Sequence, residues 1–147
     1  MPYLTVSDGT KLYYEDKGQG QTLLFAYGLN SSHLKIKNFI DEFKDNYRIV
    51  CYDQRWHSAS DHPMKYMNVQ RLGQDMHDII EYLDLKDVIV IGHSMGAATI
   101  FSYVNQFGCG KLKKIVAVFV YKSNYENCRQ KIKYMLIFQR ILTIFLL

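Results

Sequence analysis

The sequence predicts an α/β fold in which a mostly parallel sheet carries helices on both faces. Three short apolar runs, at residues 22–26, 47–52 and 88–91, are typical of strands that are buried on both sides. Between the second and third runs, residues 68–83 place their apolar side chains at helical spacing, which indicates an amphipathic helix. Strands that alternate with helices at this rhythm favour parallel pairing.

The other elements fit the same architecture. Residues 3–6 and 11–15 read as a hairpin around Ser7-Asp8-Gly9, and residues 36–43 show a helical apolar pattern. Small and apolar residues after position 94 predict a helix that ends at Gly108, and residues 115–120 form the sixth and last clear strand.

Composition excludes several classes of function. A chain of 147 residues with 48% hydrophobic and 22% charged residues suits a single globular domain. The net charge of +4 is mild, and the basic run at 111–114 has no aromatic partners for stacking, so we expect no nucleic-acid binding. The three cysteines show neither metal-ligand nor CxxC spacing, and the first residues carry no signal-peptide pattern. We therefore expect a cytoplasmic protein without a metal or an organic cofactor.

The segment Gly92-His93-Ser94-Met95-Gly96 directly follows the apolar run at 88–91. A serine on a sharp turn between a strand and a helix has strained backbone angles and an exposed hydroxyl at the helix N-terminus. Gly92 and Gly96 lack a Cβ, so the two arms of such a turn can approach each other closely. The backbone N–H of Met95 would then face an oxygen of the molecule that Ser94 attacks.

On these residues, the stretch from Tyr3 to about Phe119 resembles the first part of an α/β-hydrolase of the esterase, lipase and haloperoxidase group. The resemblance implies that Ser94 is the catalytic nucleophile and that the amides of Met95 and Leu29 form the oxyanion hole. Leu29 belongs to Tyr27-Gly28-Leu29, where the family commonly has His-Gly-x. Gly28 would support this loop, although a simple turn glycine explains it as well.

Residues 53–61 resemble the family segment Asp-x-Arg-Gly-x-Gly-x-Ser, with Asp53, Arg55 and Ser60 in matching places. Trp56 and Ser58 replace its two glycines. If the turn needs a positive φ there, each replacement stores strain on the order of 1 kcal/mol or more. We interpret this segment as support for the site and assign no catalytic role to it.

The family's remaining catalytic residues have no counterpart in this sequence. Acid and histidine should follow the serine along the chain, but no histidine follows Ser94 and Glu126 is the only acidic residue there. The base and the acid are therefore unknown, and we expect a truncated or frameshifted serine hydrolase for a small ester, thioester or amide. The alternative is an inactive fragment or pseudo-hydrolase that acts only as a binding module.

The C-terminal segment differs in character from the rest of the chain. We place the hydrolase-like part at residues 1–120 and a divergent tail, basic and then apolar, at 121–147, and we expect this tail to be helical or disordered. Its apolar part, 135–147, falls short of the roughly 20 apolar residues that span a bilayer. Unless the tail covers the sixth strand, that strand is an open sheet edge, and edge and tail together favour self-association.

Overall fold

The computed structural model describes residues 2–64, 67–119 and 132–137. The strands are β1 Tyr3–Thr5, β2 Lys11–Lys17, β3 Gln21–Ala26, β4 Tyr47–Tyr52, β5 Val88–His93, β6 Leu112–Phe119 and β7 Ile132–Ile137. The helices are α1 Lys37–Phe43, α2 Val69–Tyr82 and α3 Met95–Phe107, and a 3₁₀ turn at His33–Ile36 precedes α1.

One sheet contains these strands in the order β1-β2-β4-β3-β5-β6-β7. The pairs β1–β2 and β2–β4 are antiparallel, and every pair from β4 to β7 is parallel. The predicted mostly parallel sheet is therefore confirmed. β3, β4 and β5 are neighbouring strands that run in the same direction. The loops that follow them therefore meet at the carboxyl end of these strands.

Two apolar clusters cover the two faces of the sheet. Alternate residues of β3 divide between them, with Leu24 and Ala26 in one cluster and Leu23 and Phe25 in the other. The first cluster contains the inner faces of α2 and α3, and the second contains residues of α1 such as Ile40. Helices lie on both faces, as the sequence predicts.

The tail supplies a strand that the sequence did not indicate. We expected helix or disorder after residue 120, but Ile132–Ile137 pairs in parallel with β6 from Ile115 to Phe119. The tail thus covers the sixth strand, which is the condition under which we expected no open edge there. Self-association stays a prediction, since β7 is now the outer strand on this side of the sheet. The domain boundary at 120/121 and the apolar end of the tail lie outside the described residues.

The described ranges contain no helix that is both long enough and apolar enough to cross a membrane.

A buried ion pair connects the end of β4 to α2. Arg55 is fully buried and Asp75 is almost so, and the guanidinium donates to both carboxylate oxygens, from Nε at 2.6 Å and from Nη2 at 2.8 Å. Arg71 adds a bond to Asp75 at 2.8 Å, and Asp8 of the β1–β2 turn accepts from Arg55 at 3.0 Å. The pair thus fixes α2 and the hairpin to the segment that follows β4.

We predict that Asp75→Asn lowers the free energy of unfolding by about 3–5 kcal/mol, because it leaves the Arg55 charge buried without its main partner. Urea unfolding measures the change. The control is Asp84→Asn, since Asp84 pairs with Lys86 at the exposed surface and such pairs contribute about 0–1 kcal/mol. Equal unfolding free energies for the two variants would contradict the assigned role of the buried pair.

Candidate active site

Ser94 occupies the turn between β5 and α3 in a strained backbone conformation, with φ 53° and ψ −115°. Its N–H donates to the carbonyl of Val118 at 2.8 Å, and its carbonyl accepts from Ala97 and Ala98 at 3.0 and 3.2 Å. These hydrogen bonds connect the backbone of Ser94 to β6 on one side and to the first turn of α3 on the other. A non-glycine residue keeps such angles only where the surrounding structure enforces them, at a cost of about 1–3 kcal/mol.

The two glycines of the turn lie where a side chain has no room. A Cβ on Gly96 would overlap the backbone carbonyl of Ala26, at the end of β3. A Cβ on Gly92 would lie 2.5 Å from the Cδ1 of Ile100 and 2.8 Å from the amide of Ala97. The first turn of α3 therefore rests directly on the end of β3.

The loop after β3 approaches Ser94 at Gly28. A Cβ at this position would lie 3.3 Å from the Cβ of Ser94 and 3.0 Å from the Nδ1 of His93. Within the part of the chain that the structure describes, the amides of Leu29 and Met95 have no hydrogen-bond acceptor. Among the described residues, two backbone donors without an acceptor thus lie on the two segments that meet at Ser94.

Tyr27, which stands where the family commonly has histidine, belongs to the apolar cluster on the α1 side. Burial raises the pKa of its hydroxyl well above the usual value and raises the pKa of the neighbouring Cys51 thiol to about 12, so both groups stay protonated at neutral pH. The Tyr27 side chain therefore anchors the loop in the core, while the backbone that follows it approaches Ser94.

Asp53 and His33 form a hydrogen-bonded pair beyond the carboxyl ends of β4 and β3. The sequence did not reveal this pair. The Asp53 carboxylate is fully buried, accepts from the His33 amide at 2.8 Å and lies 2.8 Å from His33 Nδ1. The Tyr13 ring packs on the imidazole with centroids 4.4 Å apart. The sequence shows a polar residue at the end of β4 and a histidine after β3. That these two side chains meet follows only from the position of β4 next to β3 in the sheet.

The turn at 53–61 adopts the conformation on which the strain prediction depends. Trp56 has φ 67° and Ser58 has φ 45°, so both stand in the left-handed region that glycine occupies without penalty. His57 is buried and bonds the carbonyl of Arg55 at 2.9 Å, while the Ser60 hydroxyl donates to the carbonyl of Asp53. These contacts hold the turn together.

The Ser94 hydroxyl has no hydrogen-bond partner among the described residues. His33 and His57 bond elsewhere, and His62 stacks on Trp56. His77 stacks on Phe107 with centroids 3.9 Å apart. In residues 2–64, 67–119 and 132–137, no group of three or more His, Cys, Asp or Glu side chains has the arrangement to hold a metal ion.

Comparison with known proteins defines the class of protein. Residues 21–133 match the family model of the alpha/beta hydrolase fold. The chain belongs to the α/β-hydrolase family.

Among its relatives are a non-heme haloperoxidase from Rhodococcus erythropolis, 30% identical over 119 residues, and a non-heme chloroperoxidase from Kitasatospora aureofaciens, 32% identical over 120 residues. The alignments cover 80% and 79% of this chain but only 43% and 42% of the two relatives. The chain therefore spans less than half the length of these relatives.

Solved structures give the same result. An esterase from Exiguobacterium antarcticum superposes with a TM-score of 0.76 at 26% identity, and a bromoperoxidase from Bacillus anthracis with 0.72 at 26%. The similarity covers 79% and 78% of this chain and 44% of each structure. The strands and helices described above thus correspond to part of a known hydrolase fold.

We predict that Ser58→Gly raises the free energy of unfolding by about 0.5–1 kcal/mol. Relief of the left-handed strain, about 1–2 kcal/mol, is partly offset by the greater freedom of glycine in the unfolded chain. Ser58→Ala is the control, because alanine has the same steric cost at φ 45°. Thermal unfolding measures both, and a gain of equal size in the alanine variant would rule out backbone strain as the cause.

We predict that Gly96→Ala lowers the free energy of unfolding by more than 2 kcal/mol, since its methyl group must displace the backbone at the end of β3. Gly110→Ala is the matched control, because a Cβ at Gly110 meets no atom within 4 Å. Denaturant unfolding of both variants gives the comparison. Similar stabilities would show that the helix and the strand are not in obligatory contact.

Proposed function

We propose that this chain carries the nucleophile and the oxyanion-binding part of a serine hydrolase that acts on a small carboxylic ester, thioester or amide. The observation that carries the proposal is the strained backbone of Ser94 at the N-terminus of α3, with the Gly28 loop packed against it. Membership of the α/β-hydrolase family supports the same chemistry.

The proposed reaction begins with attack of the Ser94 Oγ on the carbonyl carbon of the substrate. The carbonyl oxygen becomes negatively charged and accepts hydrogen bonds from the amides of Met95 and Leu29, next to the positive end of the α3 dipole. The bond to the leaving alcohol, thiol or amine then breaks, and the leaving group takes up the proton that the serine released. Water hydrolyses the acyl-Ser94 ester, which gives the acid and regenerates the hydroxyl.

The group that accepts the serine proton is not assigned to this chain. No histidine follows Ser94 in the sequence, and Glu126 is the only acidic residue after it. Without a base, the oxyanion donors and substrate binding leave about 10³–10⁴-fold catalysis over water in a well-studied serine protease. The second candidate is a pseudo-hydrolase that binds a small ligand or a partner without turnover.

We also propose a cytoplasmic location, which remains a prediction.

We predict that a fluorophosphonate probe labels the wild-type chain at least tenfold faster than Ser94→Ala, because only an activated serine attacks phosphorus at a useful rate. Intact-mass analysis and peptide mapping locate the adduct. Ser102→Ala is the matched control, since Ser102 lies on the same helix and its hydroxyl contacts Gln106. This variant should label like the wild type.

Equal background labelling of the wild type and Ser94→Ala would refute the hydrolase proposal and favour the binding module.

A further inference from the structure

We propose that Gln54 is the positioning residue of the oxyanion loop, which ties the backbone after β3 to the first turns of α3. The inference rests on the proposed hydrolase function, because it concerns the two amides, of Leu29 and Met95, that would bind the oxyanion. Gln54 does not touch the substrate in this proposal and acts through the loop and the helix.

The Gln54 side chain is buried, with 2% of its surface exposed, and bridges the two segments that meet at Ser94. Its Nε2 donates to the carbonyl of Tyr27, and its Oε1 accepts from the hydroxyl of Thr99 at 2.8 Å. The carbonyl of Tyr27 can only accept, so the amide nitrogen must face it. The orientation of the side-chain amide is therefore set by chemistry, and the Thr99 hydroxyl completes the bridge as a donor.

The Tyr27 carbonyl controls the direction of the loop. It belongs to the peptide unit that ends in the Gly28 amide, and the Leu29 amide lies one peptide unit further. The pairing of β3 with β4 ends at Phe25, and its pairing with β5 ends at Ala26. Within the described residues, Gln54 is thus the hydrogen-bond donor that fixes the Tyr27 carbonyl just beyond the sheet.

The other end of the bridge reaches the helix that carries Met95. Thr99 is fully buried, and its hydroxyl lies 3.0 Å from the carbonyl of Met95 as well as 2.8 Å from Gln54. The hydroxyl has a single hydrogen, which these two acceptors must share, so the buried Gln54 amide joins the Tyr27 peptide unit to Thr99, about one turn of α3 after Met95. Gly96 supplies the steric contact between the same segments, whereas Gln54 supplies the directional one.

The test is Gln54→Met, which keeps the length of the side chain but removes both hydrogen bonds. In ¹H–¹⁵N spectra we expect the amide signals of Gly28, Leu29 and Met95 to shift and to broaden through microsecond-to-millisecond exchange. Signals from inside β3, such as Leu24, should stay in place. Thr99→Val should reproduce the effect, and Thr99→Ser, which keeps the hydroxyl, should resemble the wild type.

Two controls separate positioning from general stability. Gln106→Met removes a side-chain amide that bonds the carbonyl of Gln70 near the far end of α3. Ile79→Val trims a buried side chain of α2. Neither should disturb the three amides, and equal changes in either control would overturn the proposal, as would unchanged amides in Gln54→Met. If Gln54→Met does not fold, the Thr99 pair decides the question.

Labelling of Ser94 by the fluorophosphonate gives the functional result. We expect Gln54→Met to label at least tenfold more slowly than Ile79→Val, because the phosphoryl oxygen needs both amides. If the wild type is not labelled, the hydrolase proposal fails while the amide spectra still test Gln54. Wild-type labelling together with an unchanged rate in Gln54→Met would refute the positioning role alone.

Discussion

The candidate site depends on the close contact between Gly96 and the carbonyl groups that end β3. There is no room for a side chain at this point, so the first turn of α3 and the end of β3 touch backbone to backbone. The contact fixes where the helix begins, and the short turn before it forces Ser94 to a φ of 53°. The packing of α3 on the end of β3 therefore accounts both for the strained backbone of Ser94 and for the short distance between Ser94 and the Gly28 loop.

Three consecutive polar residues after β4 fasten the surroundings of this contact. Asp53 bonds His33 after the β3 loop, Gln54 bonds Tyr27 and Thr99, and Arg55 bonds Asp75 of α2. Each is buried, and each reaches a different element. Buried polar groups that lose a partner are costly, so the three side chains strongly restrict the relative positions of the elements they join. The end of β4 thus acts as the fixed point to which the elements around the site are attached.

The sequence predicts this fold well where local patterns decide the structure. The turn at Ser94 and the helices beside it follow directly from the apolar run of β5, the glycines at 92 and 96 and the amphipathic face of α2. The left-handed φ values of Trp56 and Ser58 also follow from comparison with a pattern that has glycine there.

What the sequence does not reveal depends on contacts between distant residues. The Asp53–His33 pair spans 20 positions and the Gln54–Thr99 bond spans 45, and both require the strand order β4-β3-β5. The sequence does not predict β7, for a related reason. Its pairing is decided by the open edge of β6, because a free edge selects a partner by backbone hydrogen bonding more than by side-chain pattern.

The geometry also separates the two tasks of a serine hydrolase. Stabilisation of a developing oxyanion relies on backbone amides, whose positions follow from the packing of α3 and the loop after β3. Proton transfer relies on a side chain placed within hydrogen-bond distance of the serine, which is a separate requirement. In the proposed function, residues 2–64, 67–119 and 132–137 supply the amides for the first task, and the Ser94 hydroxyl has no hydrogen-bond partner among them for the second. Because the buried contacts that hold these amides do not involve a base, the proposed oxyanion site can form whether or not the serine is activated.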